Sequence, residues 1–371
     1  MDSSNTFFDV IIIGAGPAGA TLARLLSSEK YTVLLADADG GREKVCGGLL
    51  SPDAQDFLAG HDIYLPKDIL VDPQLFSVRT IDLRDGLTRY YRRSYMNVSR
   101  QKFDDFLKNM VDDKVSVVKD RCVSVCREDD GFEVVFSKNK DARLKCRYVV
   151  GADGSASVVR SSLFKDKKIA RYTAIQQWFD AKDENPYYSC VFDSETSSGC
   201  SWIFFKDSKL VFGGAFDTVG SRRAFEEQKS KLVSLGIVPA EILKNPVRTE
   251  ACLVSRPKLF GGVFLGKNGA FLIGEAAGLI SPSSFEGISY AMNSAEALAT
   301  ALNKGDSAKK IHKYYKQNAR RLIVKIKMRC LKRPFMYDPT LRRAVMKSGI
   351  TSIKIKRQGN TYGSKISIEK T

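Results

Sequence analysis

A strand followed by a glycine-rich turn, FFDVIIIGAGPAG near the N-terminus, constrains the fold more than any other segment of this 371-residue chain. Val10 to Ile13 form a short β-branched run, typical of a parallel strand that is buried on both faces. The run ends at Gly14, Gly16 and Gly19, which have the spacing G-x-G-x-x-G, and residues 20–28 are predicted to form a helix.

Each glycine of this turn has a physical role in binding a dinucleotide. Gly14 permits the tight turn, Gly16 lets a pyrophosphate approach the backbone, and Gly19 lets the helix pack closely on the strand. The start of the helix offers free N–H groups and a partial positive charge to the phosphates. A second strand over residues 31–36 ends at Asp37, which is placed to bind a ribose hydroxyl. Together these features predict a dinucleotide site.

Cysteine usage and hydropathy narrow the class of protein. The eight cysteines are scattered, with no C-x-x-C motif and no histidines at ligand spacing, so we expect neither a metal site nor disulfides. No apolar run reaches the roughly 18 residues that a membrane-spanning helix needs. The N-terminus lacks the basic start of a secretory signal. We therefore expect a reduced protein on the cytoplasmic side.

The positive charge lies at one end of the chain. Residues 304–371 contain 20 Lys and Arg against three acids, which gives +17, the formal net charge of the whole chain. The first 303 residues therefore hold 39 residues of each sign. From residue 306 to 333, apolar residues recur at helical spacing among the basic ones, which predicts a basic amphipathic helix. Its members are Ile311, Tyr315, Ala319, Leu322, Ile326 and Cys330.

The rest of the chain indicates a second, antiparallel sheet inserted into the nucleotide-binding pattern. Residues 75–83 and 88–95 resemble a hairpin, and short alternating segments fill residues 171–216. Further strands are predicted at 115–125, 132–137 and 143–150, and helices at 52–59, 101–110, 221–235 and 288–302. We predict an α/β fold in which a Rossmann-like domain (1–74, 98–165 and 264–304) is interleaved with a β-sheet domain (75–97 and 166–263). A basic helical region (305–371) follows.

Four motifs in order carry a family resemblance: GAGPAG at 14–19, Arg100 before its helix, GADGSASVVR at 151–160 and GEAAGLISPSSFEGI at 274–288. The set resembles the FAD-dependent reductase and monooxygenase superfamily typified by p-hydroxybenzoate hydroxylase. Within it, KVCGG at 44–48 and GCSWIFF at 199–205 are most similar to the geranylgeranyl reductase family. That family includes prenyl-lipid reductases and bacterial FAD proteins linked to colicin resistance.

The resemblance implies a set of FAD-binding residues. They are Gly14, Gly16, Ala18, Gly19, Asp37, Arg42, Cys46, Gly47, Arg100, Asp153, Gly154, Glu275, Gly287 and Ile288. Arg100 is expected near the pyrophosphate, and Glu275 stands where relatives usually carry an aspartate. Gly287 and Ile288 would present backbone N–H groups to the pyrimidine edge of the flavin, where a helix N-terminus stabilises the reduced anion.

Two further groups are expected beside the flavin ring. Cys46, Gly47 and Gly48 would form the loop next to it, with Cys46 either shaping the site or acting as a small packed side chain. Trp202, Phe204 and Phe205 would line an apolar substrate tunnel or, alternatively, belong to the core. The family often has an aromatic-x-Trp-x-Phe-Pro pattern here. This chain has Cys200 in place of the first aromatic residue and Phe205 in place of the proline.

These features predict an FAD-dependent enzyme that reduces carbon–carbon double bonds of a prenyl or similarly apolar lipid. NADPH, NADH or a ferredoxin-type protein would supply the electrons. One alternative is a monooxygenase that acts with NAD(P)H on an aromatic or polyketide-like substrate, and another is a flavoprotein with a binding or resistance role and little turnover. The basic region predicts peripheral association with an anionic membrane at its inner face. No nucleic-acid recognition module is present.

Overall fold

The computed structural model describes residues 7–38, 45–138, 143–181 and 186–348. Its strands are β1 (Phe7–Ile13), β2 (Val33–Asp37), β3 (Leu49–Leu50), β4 (Leu75–Asp82), β5 (Leu87–Asn97), β6 (Ser116–Lys119), β7 (Cys122–Glu128), β8 (Gly131–Phe136), β9 (Arg143–Gly151), β10 (Arg171–Asp180), β11 (Tyr187–Phe192), β12 (Ser201–Lys206), β13 (Lys209–Phe216), β14 (Arg248–Ser255), β15 (Gly266–Lys267) and β16 (Ala270–Leu272). Its helices are α1 (Pro17–Leu25), α2 (Pro52–Gly60), α3 (Arg100–Asn109), α4 (Val158–Leu163), α5 (Ser221–Ser234), α6 (Ile288–Lys304), α7 (Ala308–Asn318), α8 (Arg320–Tyr337) and α9 (Pro339–Ser348), and 3₁₀ turns lie at Lys67–Ile69 and Gly274–Ala277.

The first sheet carries the nucleotide-binding pattern. Its order is β15-β16-β9-β1-β2-β6, with β8 and β7 continuing from β9. The strands from β16 to β6 in this order are parallel to one another. Val10, Ile11 and Ile12 of β1 are completely buried in the main core, as an unbroken β-branched run requires.

The second sheet has the order β14-β10-β13-β12-β11-β4-β5-β3. Its neighbours are antiparallel except for β4 and β11, which run parallel. Helix α5 covers one face through a cluster that includes Phe225 and Phe212. The predicted fold class, a parallel nucleotide-binding sheet with an interleaved β-sheet domain and a C-terminal helical region, is confirmed.

Two predicted elements are divided in the structure. The strand predicted over 115–125 ends at Asp120, whose carboxylate accepts hydrogen bonds from the Ser137 hydroxyl at 2.6 Å and the Lys138 amide at 2.9 Å. These bonds turn the chain, so that β6 pairs with β2 and β7 with β8. The predicted basic helix likewise breaks at Ala319, between α7 and α8.

The C-terminal helices are attached to both sheets. The Tyr315 hydroxyl donates to the Leu272 carbonyl at 2.8 Å in the first sheet. In α9, the buried Arg342 guanidinium donates to both carboxylate oxygens of Asp82 in β4, at 2.8 and 3.0 Å. The apolar residues predicted for the basic helix form an inner stripe that packs on the core. Of this stripe, Ile311, Tyr315, Ala319, Ile326 and Cys330 are buried, and Leu322 is half-buried. Among the described helices, none is long and apolar enough to cross a bilayer.

Candidate active site

Three distant turns of the chain meet at the carboxyl edge of the first sheet. The Ala152 amide donates to the Ile13 carbonyl at 2.8 Å, and the Ile273 amide donates to the Gly151 carbonyl at 3.0 Å. A Cβ placed on Gly274 would lie 3.2 Å from the Cβ of Ala18. The turns after β1, β9 and β16 therefore surround one space, which is where ligands bind in parallel α/β sheets.

The first turn leaves the start of α1 open to a ligand. Gly14 has φ +105°, and Gly19 packs so closely that a Cβ there would lie 1.8 Å from the Gly14 carbonyl oxygen. Among the described residues, no atom lies within 4 Å of a Cβ position on Gly16 and no side chain caps the helix. The N–H groups of Ala18 and Gly19 in the first turn are therefore suited to bind a phosphate.

The predicted ribose-binding residue, Asp37, lies at the end of β2. Its carboxylate forms an ion pair with Lys108 of α3, with Oδ2 3.3 Å from Nζ. Burial opposes the charge of Lys108, but Asp105 and Asp37 outweigh it and raise the pKa of the lysine. Arg42, a further predicted cofactor residue, lies outside the described residues.

Arg100 is partly buried at the start of α3, close to Cys46. Its Nε and one terminal nitrogen donate to the two carboxylate oxygens of Asp104 at 2.8 and 2.9 Å. Although burial disfavours the charge, Asp104 and Cys46 raise the pKa of the guanidinium. Cys46 also accepts from the Gly48 amide at 3.5 Å and packs against a cluster that includes Ile288 and Met292.

The two other predicted turns are tied together by one arginine. Arg160 is buried and donates to the carbonyl oxygens of Ser155 and Ala276, both at 2.5 Å. Asp153 accepts from the Val158 amide in the first turn of α4 at 2.6 Å, and burial raises the pKa of Asp153. Its second oxygen, Oδ1, is buried and has no partner among the described residues. Gly154 has φ +76° and open space at its Cβ position.

Glu275 lies at the third turn, with its carboxylate directed toward the second sheet. Oε1 accepts a hydrogen bond from the Ser255 amide of β14 at 2.7 Å. The residue is 9 % exposed. Because its carboxylate joins the two sheets, the extra methylene relative to aspartate has a structural use here.

The 17-residue helix α6 begins at Ile288, beside the same space. No side chain of the described ranges caps it at Gly287, so its first N–H groups have no capping partner there. Phe285, two residues earlier, has φ +55°, a strained conformation for a bulky residue and one that clusters at functional sites. Buried Arg256 fixes this segment by donating to the Pro282 carbonyl at 3.0 Å.

The predicted flavin-side loop, Gly47 and Gly48, is fastened to the second sheet. Buried Lys206 of β12 donates to the carbonyl oxygens of Gly47 at 2.9 Å and Val98 at 2.5 Å. A Cβ on Gly47 would lie 2.8 Å from Cζ of Phe204. The loop and the aromatic strand are therefore in direct contact.

Strand alternation separates the three predicted substrate aromatics. Trp202 and Phe204 of β12 lie on the same face of the second sheet as Tyr95 of β5 and Tyr188 of β11. The ring of Tyr188 lies 5.5 Å from that of Tyr95 and 6.2 Å from that of Phe204. Phe205 points to the opposite face and packs in the cluster with Phe225. The expectation that Phe205 shares a wall with the other two differs from the structure, because successive strand residues face opposite sides.

A partly buried acid, Glu286, and its partners were not predicted from the sequence. The Glu286 carboxylate accepts from the Tyr95 hydroxyl at 2.6 Å and from Arg93 at 3.2 and 3.3 Å, and Arg329 lies 3.5 Å away. Burial and then Glu286 raise the pKa of Tyr95 well above its usual value. The sequence did contain two hints. Glu286 directly precedes the helix-starting glycine, and Arg93 and Tyr95 share the inward face of β5.

These residues fit FAD. Within the part of the chain that the structure describes, no side chain caps the starts of α1 and α6, no atom lies within 4 Å of a Cβ position at Gly16 or Gly154, and the buried Asp153 Oδ1 has an unused acceptor. The start of α1 would hold the pyrophosphate, and the start of α6 would lie against the flavin.

Comparison with known proteins agrees with this fit. The family model "FAD binding domain" matches residues 115–329, more than half of the chain, and "Lycopene cyclase protein" matches residues 9–180. Protein CbrA of Escherichia coli O6:H1 is 40 % identical over 352 residues, which cover 93 % of this chain and 94 % of CbrA. The chain belongs to the CbrA family of FAD-binding oxidoreductases.

Solved structures share the fold at low sequence identity. A geranylgeranyl bacteriochlorophyll reductase-like protein from Thermoplasma acidophilum superimposes with TM-score 0.79 at 20 % identity, and 94 % of each chain is covered. PqsL of Pseudomonas aeruginosa, in complex with 2-aminobenzoylacetate, gives TM-score 0.70 at 17 % identity over 92 % of this chain and 100 % of PqsL.

Proposed function

We propose that this chain reduces carbon–carbon double bonds of a prenyl or similarly apolar lipid. The observation that carries the proposal is the aromatic wall of Trp202, Phe204 and Tyr188, which adjoins both the Gly47 loop and the Glu286 segment before α6. A wall of this kind suits an extended unsaturated chain better than a charged metabolite. The likeness to a reductase-like structure supports the same choice.

The bound cofactor would supply the hydride in its reduced state. Around it, the first N–H groups of α6 would stabilise negative charge at the pyrimidine edge, because a helix N-terminus carries a partial positive charge. Phe204 and Trp202 would exclude water and so strengthen that electrostatic effect. The substrate would lie along their face of β12.

Tyr95 would provide the proton. Its hydroxyl donates to Glu286 in this structure, and its raised pKa makes it a weak acid. It would therefore turn from Glu286 to the substrate and release its proton only to the strongly basic carbon that hydride addition leaves. Burial opposes the charge of Arg93, but Glu286 outweighs it and raises the pKa, so the ion pair persists. The hydride would join one alkene carbon and the Tyr95 proton the other, and solvent would then reprotonate Tyr95.

Anaerobic turnover tests the reaction. Purified holoprotein, reduced with dithionite and mixed with geranylgeranyl diphosphate or a long-chain polyprenol, should add two hydrogen atoms per reduced bond, as measured by mass spectrometry. Tyr95→Phe should lower the rate by roughly 10²- to 10⁴-fold, because general acid catalysis contributes about that much. Flavin binding should stay unchanged. A Tyr95→Phe variant with the full rate would remove Tyr95 from the mechanism, and no product from any prenyl lipid would contradict the reductase.

A flavin monooxygenase is the second candidate. The partly buried ion pair between Arg93 and Glu286 favours it, because paired charges beside the aromatic wall would suit a polar aromatic substrate. The fold likeness to PqsL is compatible with it. Oxygen consumption that depends on both NAD(P)H and such a substrate would select this reaction over lipid reduction. Stopped-flow reduction with NADPH, NADH and a ferredoxin would identify the electron donor.

A further inference from the structure

Helix α8 carries a second apolar stripe on its outer side, in addition to the inner one that packs on the core. We call it the outer stripe and define it as Val324, Met328, Leu331 and Phe335. These side chains are 50, 51, 53 and 52 % exposed, respectively. At 3.6 residues per turn they fall within about 60° of arc. The buried Ile326 and Cys330 occupy the opposite side of the helix.

Basic residues border the outer stripe on both sides. By helical position, Arg320 and Lys327 lie along one edge, and Arg321 and Lys332 lie along the other, and all four are exposed. The sequence of α8 contains seven Lys and Arg and no acidic residue. An apolar stripe between two basic edges is the pattern of a helix that lies in the surface of an anionic membrane.

The fold holds this helix in place from behind. Lys325 forms an ion pair with Asp53 of α2, with 2.6 Å between Nζ and Oδ2, and the Tyr337 hydroxyl donates to the Ser283 carbonyl at 2.6 Å. The outer stripe is therefore presented on a fixed element. Because the helix is already held in one position, little conformational entropy is lost when the outer stripe binds a partner.

We propose that α8 docks the protein on an anionic bilayer by inserting the outer stripe among the acyl chains while its basic edges bind lipid phosphates. Charge selects this occupant over a second copy of the chain, because pairing two outer stripes would bring four basic edges together. The inference is independent of the reaction proposed above, since a reductase and a monooxygenase could both dock in this way.

Vesicle sedimentation of the full-length holoprotein tests the proposal. The probes are vesicles of phosphatidylcholine alone and of phosphatidylcholine with one third phosphatidylglycerol. The wild type should bind the anionic vesicles. The double variant Leu331→Ser, Phe335→Ser should bind them at least roughly tenfold more weakly, because it removes most of the inserted hydrocarbon. Replacing Arg321 and Lys327 by Gln should weaken binding by about fivefold per residue.

A matched control replaces two exposed apolar residues at the ends of α5. Val219→Ser with Leu235→Ser, at positions 91 and 53 % exposed, should leave vesicle binding unchanged. In a separate Phe335→Trp variant, lipids brominated in their acyl chains should quench the added fluorescence. Equal vesicle binding by wild type and outer-stripe variant, no quenching, or a dimer that the outer-stripe variant converts to monomers would each overturn the proposal.

Discussion

Gly16→Val separates flavin binding from folding. The Cβ position at Gly16 meets no atom of the described residues within 4 Å, and the φ of −71° and ψ of −172° at Gly16 are open to any residue. The expected cost to the apo fold is therefore only the weaker capping of α1, under about 1 kcal/mol. The valine side chain would instead occupy the space that the pyrophosphate needs.

The loss of flavin affinity follows from the bonds that this space permits. Displacing the pyrophosphate from the N–H groups of Ala18 and Gly19 would lose two hydrogen bonds to a charged group, each contributing about 1.5–3 kcal/mol. The sum of roughly 3–6 kcal/mol corresponds to about 10²- to 10⁴-fold weaker binding. The purified variant should be colourless.

Flavin titration followed by absorbance measures the flavin affinity. Urea unfolding of the apo wild type and the apo Gly16→Val variant measures the free energy of unfolding. Comparing apo forms is necessary because bound ligand itself adds stability. Gly19→Val is the contrasting control. Its Cβ would overlap the Gly14 carbonyl, so that variant should fail to fold. A yellow Gly16→Val protein with wild-type affinity would refute the placement of the pyrophosphate. If the apo form of Gly16→Val is destabilised by several kcal/mol, the space around the Cβ position of Gly16 is not free.

Two further predictions concern the attachment of the C-terminal helices. Arg342→Met should lower the free energy of unfolding by about 3–5 kcal/mol in urea titrations, because it leaves the Asp82 carboxylate buried without its partner. Arg343→Met, at an exposed position, should change the free energy of unfolding by less than about 0.5 kcal/mol. Similar losses of stability in the two variants would contradict a special role of the buried Arg342. Burial alone would raise the pKa of Asp53, but Lys325 outweighs it and holds that pKa below its usual value. The ion pair therefore makes its full contribution to the free energy of unfolding above about pH 3.9, the pKa of an aspartate in the unfolded chain. That contribution is lost as the pH falls through the lower pKa of Asp53 in the folded protein. Asp53→Asn should lower the free energy of unfolding by at most about 0.5 kcal/mol at pH 7 and by nothing in acid. A loss of stability that grows on acidification would contradict a lowered pKa of Asp53.

The parts of the site that the sequence predicted are those governed by local rules. The buried strand β1, the glycine turn after it and the uncapped starts of two helices follow from β-branched runs and the conformational demands of Gly14. Phe205 could have been separated from Phe204 by the same reasoning, since strand residues alternate between faces.

The remaining parts depend on distant pairings. Tyr95 and Glu286 are 191 positions apart, and their contact requires the register of β4 with β5 and the course of the segment before α6. The break at Asp120 depends on Ser137, in another strand connection. No periodicity within a short window contains this information, because each contact is set by how separate elements pack.

The buried ammonium of Lys206 links the flavin-side loop to the strand that carries Trp202 and Phe204. Because moving the loop away would take the Gly47 carbonyl from that buried charge, a shift of the loop is coupled energetically to the strand that carries the wall. A mutation that reshapes the wall for a different substrate would therefore also move the backbone of the predicted flavin-side loop. In this family, changes of substrate preference should be accompanied by measurable changes of flavin potential.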